Sequence, residues 1–302
     1  TLAKTIEGLS GYCKTIQPDM IVVHGDRVET LAGAIVGSLN NILVAHIEGG
    51  EVSGTVDELI RHSVSKLSHI HFVSNKQAAR RLIQMGEVKE SIFTIGSPDI
   101  DIMFSDQLPD LETAKKYYNI DFENYAILMF HPVTTEISKM EKYAEIFVKT
   151  LLDDHHNYIV IFPNNDLGSQ FILEAYKKLD KNLRFRVFPS LRFEYFLTLL
   201  KNSQFIIVNS SAGIREAPYY GIPIINIGTR QQNRSIHADI INTDYSEARI
   251  KDALTIIDSH KIQSVVDDFG DGNSNQLFLD CLQKSDIWQL NHQKQFRDIT
   301  QK

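Results

Sequence analysis

The chain has 302 residues, 43% of them hydrophobic and 23% charged, with a formal net charge of −7. That length accommodates two α/β domains of ordinary size, and the acidic balance argues against a general nucleic-acid or membrane-surface binder. A nucleotide remains compatible with it, because one phosphate site needs only local arginines and helix N-termini. Cys13 and Cys281 lie far apart, fit no metal or disulfide spacing, and read as reduced thiols of a cytoplasmic protein. No apolar run approaches the ~18–20 residues of a membrane span, and no secretion signal is visible.

The chain opens without Met, inside an amphipathic pattern over 1–16 carried by Leu2, Ile6, Leu9, Cys13 and Ile16. A doubly wound domain ordinarily opens on a strand and a phosphate-binding turn, so upstream sequence is expected. The strand Met20–Val23 follows, then a helix near 28–39, the strand Ile42–Ile47, a helix near 57–67, the strand His69–Val73, a helix near 76–85 and the strand Ile92–Ile95. Such alternation implies a parallel sheet with right-handed crossovers. Ser97, Pro98, Asp99 and Pro109 then break the rhythm and mark a boundary. It resumes with strands at Tyr125–Phe130, Tyr158–Phe162, Phe185–Phe188, Phe205–Val208 and Pro223–Ile227, and with helices near 138–152, 169–180, 192–201, 212–220 and 246–259. These strands are largely β-branched or aromatic, as expected for burial on both faces. From Asn273 the chain reads as helical and polar, with Leu277, Leu279, Leu282 and Trp288 available to pack back onto the first domain. The expected fold is α/β: an incomplete Rossmann-like domain over 1–105, a nucleotide-binding Rossmann-like domain over 106–272 and a tail over 273–302, the two domains facing one cleft.

In open parallel sheets ligands bind beyond the carboxyl ends of the strands. Asp26 and Glu48 sit just past two predicted strands, and Asp57 comes nine residues after Glu48. Carboxylates there are poorly placed for packing and well placed for proton transfer. Arg27 adds positive charge beside Asp26. In FIIVNSSAGIREAPYYGIPIINIGTR, a small-residue turn joins a strand to a predicted helix. Ser210, Ser211 and Gly213 would present backbone N–H groups to a diphosphate there. Glu216 could accept ribose hydroxyls, and Arg230 could neutralise phosphate. The bland reading makes Ser210 a cap and Arg230 a solvated charge. His131, fixed before Pro132, could donate to phosphate, although a lone histidine is more often structural. Asn164 and Asp166 hold the corresponding place after the next strand, where turn chemistry also suits them. His24, His46, His62, His69 and His71 form no compact ligand motif, so no metal is expected. The glycines of Gly49-Gly50-Glu51-Val52-Ser53-Gly54 fit a close, mobile loop rather than a dinucleotide fingerprint.

Taken together, HGDR at 24–27, HIEGGEVSGTVDE at 46–58, Arg61-His62, HPVTTE at 131–136, FPNNDLGS at 162–169, NSSAGIRE at 209–216, GTRQ at 228–231 and GDGN at 270–273 closely resemble the hydrolysing UDP-N-acetylglucosamine 2-epimerases of sialic-acid biosynthesis. The resemblance covers essentially the whole chain. It implies a GT-B fold, UDP bound in the C-terminal domain and chemistry in the cleft, and an absent first quarter of the catalytic unit, including an arginine-bearing turn. The reversible bacterial cousins usually carry Glu where Asp57 stands and histidine in the turn of Asn164-Asn165; the departures match the hydrolysing group. The implied reaction removes the carbon-2 proton and UDP to give a 2-acetamidoglucal, then adds water with inversion at carbon 2, yielding free ManNAc. Asp26, Glu48 and Asp57 would share the proton transfers, and Arg27, His131 and Arg230 would stabilise the leaving diphosphate. No cofactor is implied, and a homodimer or higher homo-oligomer is expected. UDP-N,N′-diacetylbacillosamine is an alternative substrate. A GT-B glycosyltransferase and a non-catalytic sugar-nucleotide-binding fragment are the rival readings.

Overall fold

The computed structural model describes residues 2–52, 55–213, 215–230, 239–260, 262 and 269–298. The chain divides into two compact units, Thr1–Phe104 with Asp268–Lys302, and Ser105–Asp267.

In the first unit, α1 (Leu2–Ile16), β1 (Met20–His24), α2 (Val28–Leu39), β2 (Leu43–Ile47), α3 (Thr55–Leu67), β3 (Ile70–Val73), α4 (Lys76–Gln84), β4 (Ile92–Thr94) and α5 (Pro98–Met103) follow one another. The four strands form a parallel sheet in the order β1-β2-β3-β4. Strand periodicity distributes β2 between two cores. Val44 joins Val23, Ala34, Ile60 and Val64 beneath α2 and α3. Ala45 joins Ile70, Phe72, Cys281 and Ile287 on the other face. Most of β1 is only partly buried, and Val22 is 46% exposed.

In the second unit come α6 (Leu111–Tyr117), β5 (Ala126–Met129), α7 (Ile137–Asp153), β6 (Tyr158–Ile161), α8 (Ser169–Tyr176), β7 (Phe185–Phe188), α9 (Phe193–Lys201), β8 (Ile206–Val208), α10 (Glu216–Tyr219), β9 (Ile224–Ile227), β10 (Ile240–Thr243) and α11 (Glu247–Ile257). Its six-stranded parallel sheet runs β10-β9-β8-β5-β6-β7. Counted from β5, this is the 3-2-1-4-5-6 order of a doubly wound nucleotide-binding sheet, with its switch point between β5 and β8. The core is continuous from Phe130 and Phe147 through Tyr158 and Phe205 to Ile250 and Leu254.

Several elements depart from the sequence-based expectations, among them α6, for which no helix was expected. The segment read as one helix near 212–220 is a 3-10 turn, Ser211–Gly213, and then the single turn α10. Edge strand β10 was not expected, because Ile240-Ile241-Asn242-Thr243 is short and half polar. Within the presumed break, Ser97 caps α5 by accepting Asp99 N at 3.3 Å, with Pro98 at the first helical position.

The last helix, α12 (Ser274–Leu282), belongs to the first unit. Asp101 of α5 accepts Ser274 N at 2.9 Å, Ser274 Oγ at 2.8 Å and Asn275 N at 2.8 Å, and so satisfies the start of α12 from outside. Phe278 packs edge-on against Phe72, ring centres 4.7 Å apart. Leu277 and Leu282 join that core, but Leu279 and Trp288 stay 47% and 43% exposed. Beyond the helix, Lys294 Nζ donates to Ser68 O at 2.5 Å and to Glu87 Oε2 at 2.5 Å. Buried Glu87 also accepts from Lys66 at 2.7 Å and His71 Nε2 at 3.0 Å. Burial pushes the Glu87 carboxyl up, but the hydrogen bond from His71 and the Lys294 ammonium outweigh it and hold the group at about 2. Fully buried His71 is itself held below its ordinary value by desolvation, so it is the neutral donor of the cluster.

Candidate active site

In the first unit, polar side chains gather where the four parallel strands end. Asp26 follows β1, Glu48 follows β2, Ser74 follows β3 and Ser97 follows β4. Gly25, at φ 77°, turns the chain between His24 and Asp26 in a backbone region that only glycine enters freely. The turn is pinned by Gly25 N donating to Ile47 O at 3.0 Å and by His46 Nε2 donating to Gly25 O at 2.8 Å. Burial lowers His46 to about 3, so the neutral ring provides that donor.

Glu48 is only 4% exposed and takes φ 65°, the left-handed region that side chains avoid at a cost of about 1–3 kcal/mol. Its N–H donates to Phe72 O at 2.8 Å, and its carbonyl accepts Arg61 Nη1 at 2.5 Å. The carboxylate accepts Ser97 Oγ at 2.6 Å, and His24 Nε2 lies 3.3 Å from its other oxygen. The same buried Arg61 donates through Nη2 to Asp26 Oδ2. One guanidinium from α3 therefore ties the candidate carboxylate of β1 to the backbone of the candidate at β2, using the planar fork that lysine lacks. Asp57 stands in the first turn of α3, four residues before Arg61 and so on the same helical face.

Arg27 is exposed at the start of α2 with no side-chain cap bond, and Arg61 of α3 places a buried cation on Asp26. Arg61, within the string Arg61-His62, and buried Glu51, which accepts from Ser74 Oγ, are further polar groups of this site to which the sequence alone assigns no role. The available signal was the four-residue spacing from Asp57. Ser53 and Gly54 of the glycine-rich segment, and Gln231 of GTRQ, lie outside the described residues.

In the second unit the expected residues converge on the switch point. His131 follows β5 and Asn209 follows β8. His131 N donates to Asn209 Oδ1 at 2.7 Å and Asn209 Nδ2 donates to His131 O at 2.8 Å, a reciprocal clamp across the two strand ends. Asn209 is fully buried and was not singled out from the sequence; its signal is an amide ending the apolar run FIIV. His131 Nδ1 accepts Asn164 N at 3.0 Å. Burial, then the nearby Arg230 charge, lowers His131 to about 4. The ring is neutral and carries its proton on Nε2. Asn164 Nδ2 donates to Asp166 Oδ2 at 2.5 Å, while buried Asn164 Oδ1 has no partner among the described residues. Arg230 Nη1 donates to Asn209 O at 3.2 Å, and Nη2 lies 4.0 Å from Asp166 Oδ2. Ser210 Oγ accepts Ala212 N at 3.3 Å, so the turn follows the capping chemistry of a serine. A Cβ on Gly213 would lie 2.3 Å from Val208 Cγ1, which explains how the turn packs so close to β8. Glu216 opens α10 and is 8% exposed.

Each unit is thus a parallel α/β layer structure with polar groups at its strand ends, and the chain as a whole is of the GT-B class. The family model for UDP-N-acetylglucosamine 2-epimerase matches residues 1–283. A UDP-N-acetylglucosamine 2-epimerase of Neisseria meningitidis serogroup B is 50% identical over 301 residues, covering 99% of this chain and 80% of that protein. A UDP-N,N′-diacetylbacillosamine 2-epimerase (hydrolyzing) of Legionella pneumophila is 33% identical, covering 91% and 74% respectively. The crystal structure of UDP-GlcNAc 2-epimerase from Neisseria meningitidis bound to UDP-GlcNAc aligns with a TM-score of 0.79 at 17% identity, over 93% of this chain and 80% of that one. The chain belongs to the UDP-N-acetylglucosamine 2-epimerase family. Among the described residues no helix is long and apolar enough to cross a membrane.

Proposed function

We propose that the protein converts UDP-N-acetylglucosamine to free N-acetylmannosamine and UDP. A base removes the carbon-2 proton, the electron pair forms the carbon 1–carbon 2 double bond, and the bond from carbon 1 to the UDP oxygen breaks. Water then adds its hydroxyl to carbon 1, and an acid returns a proton to the opposite face of carbon 2. Such a sequence needs at least two proton-transfer groups held at fixed places. The observation that carries this reading is the Arg61 fork joining Asp26 to Glu48 at adjacent strand ends. Glu48 is pre-set by a strained backbone and by donors from Ser97 and His24. Asp57 completes the group from α3, and no single step is assigned to one carboxylate because coupled groups share protons.

The second unit is assigned the nucleotide. A neutral His131 offers Nε2–H, Arg230 offers positive charge, and Ser210 and Ser211 supply the turn at the switch point of the sheet. The unpartnered Asn164 Oδ1 is an acceptor that a ligand donor would satisfy. Glu216 is assigned to the ribose hydroxyls. The hydrolytic outcome is supported by Asp57 and Asn164, and by the hydrolysing reaction in the name of the Legionella relative. That relative also favours a second reading, the same reaction on UDP-N,N′-diacetylbacillosamine. An obligatory cofactor is not part of either mechanism, and a cytoplasmic homo-oligomer is the working assembly.

Proton NMR of the full chain with each UDP-sugar in deuterated water tests the proposal. The expected product is free N-acetylmannosamine deuterated at carbon 2, together with UDP. Accumulation of UDP-N-acetylmannosamine, or product retaining its original carbon-2 proton, overturns it.

A further inference from the structure

The second unit carries a cluster of side chains of metal-ligating type, at the end of β6 opposite His131 and Asn164. Asp154 ends α7, His155 and His156 lie in the link to β6, and Asp258 ends α11. The two imidazole rings lie face to face, centroids 4.0 Å apart and tilted by 37°.

Their nitrogens are sorted between two carboxylates. Both Nδ1 atoms face Asp154, His156 at 2.8 Å from Oδ2 and His155 at 3.5 Å from Oδ1. Both Nε2 atoms face Asp258, His156 at 2.9 Å from Oδ1 and His155 at 4.0 Å from Oδ2. Asp154 is itself oriented, since Oδ2 also accepts Tyr158 OH at 2.6 Å and His156 N at 3.0 Å. The side chains of Asp154 and His156 are 8% and 5% exposed, whereas that of His155 is 76% exposed. The cluster opens to a cavity of about 340 Å³ bordered by Asp153, Asp154, His155, Lys251 and Asp258. Lys251 directs its ammonium to Asp153 at 3.3 Å and Glu247 at 2.8 Å.

One ligand atom each from Asp154, His155 and His156 can be chosen so that all lie within 4.8 Å of one another. Metal–ligand bonds near 2.1 Å place the donors of a tetrahedral ion about 3.4 Å apart, so a small turn of the exposed His155 ring closes the set. Metal-bound imidazoles direct their other N–H to a carboxylate, and Asp258 already holds that position for His156. Two nitrogens and one oxygen favour a borderline ion over calcium or magnesium.

We propose that Asp154, His155 Nδ1 and His156 Nδ1 bind a divalent cation of the zinc or cobalt class, with Asp258 as positioning residue and water completing the coordination. The ion takes the place of the proton between His156 Nδ1 and Asp154, so binding releases a proton to solvent. It links the end of α7 to the start of β6 and, through Asp258, to the end of α11. It stands apart from the groups assigned to the reaction.

The test is titration of the tag-free full chain with Co²⁺, followed by visible absorption and by the melting temperature. Wild type should gain the ligand-field bands of cobalt bound to nitrogen, at one equivalent, and melt higher. His155→Ala, at an exposed position, should melt normally without metal and lose both effects. Asp258→Asn should bind about 10–100-fold more weakly, the usual effect of removing an outer partner. Cobalt bands unchanged in His155→Ala, or wild type giving only the aqueous-ion spectrum, overturns the proposal and leaves the cluster as an ion-paired pin.

Discussion

Replacing Arg61 with lysine isolates the geometry of the proposed proton-transfer group from its charge. Arg61 makes two bonds from one buried plane, one to the Asp26 carboxylate and one at 2.5 Å to the Glu48 carbonyl. An ammonium gathers its donors on one nitrogen and lacks the planar fork, so it cannot reproduce both bonds in the geometry that the two separate Nη atoms give them. A lost hydrogen bond to a charged group is worth about 1.5–3 kcal/mol, and each 1.36 kcal/mol in the barrier is about tenfold in rate. If Arg61 places Asp26 for the reaction, kcat in Arg61→Lys should fall about 10- to 150-fold on this scale. KM and UDP affinity should move little, because the nucleotide is assigned to the second unit. Steady-state release of UDP and calorimetric UDP binding measure the two sides. A lysine variant turning over at the parental rate, while Asp26→Asn is inactive, would refute the idea that the fork positions the carboxylate.

Other expectations are separate. Glu48→Gly should be more stable than Glu48→Ala by about 1–2 kcal/mol in denaturant unfolding, because alanine must still adopt the left-handed backbone, and both should be inactive; equal stability would show that the positive φ stores nothing. Glu87 is lowered from 4.5 to about 2 on folding, so its contribution to stability is present above pH about 4.5 and is lost as pH falls toward about 2. The melting-temperature advantage of wild type over Glu87→Gln should therefore shrink across that window, and an advantage that survives to its acid end would contradict the assignment. His131, held near 4 by burial, should show no ring titration by NMR between about pH 6 and 8, where an ordinary histidine changes charge.

Much of this arrangement was legible in the chain. An apolar run of β-branched residues followed by His24-Gly25-Asp26, or by His46-Ile47-Glu48, places polar groups at strand ends whatever the tertiary detail. Arg61 was not legible in that way, because its partners come from two other elements and depend on how α3 lies over β1 and β2. Asn209 was hidden for the same reason: its value lies in the β5–β8 adjacency, which follows from strand order rather than from local pattern. The split of the expected helix near 212–220 reflects local chemistry, with Ser210 turning its hydroxyl onto Ala212 N and Pro218 unable to donate. Short α5 offers too few residues for a 3.6-residue period to show.

The attachment of Lys294 to Ser68 and Glu87 joins positions 226 and 207 residues apart. A ribosome making this protein releases the sheet that bears Asp26 and Glu48 long before the segment that closes its far face. The unit Ser105–Asp267 is complete in the chain while its neighbour still waits for Asp268 onward. Domains that are contiguous fold as they emerge, so the nascent chain should acquire its proposed nucleotide-binding half first. The half proposed to perform proton chemistry then becomes competent only after the segment from Asp268 onward has followed.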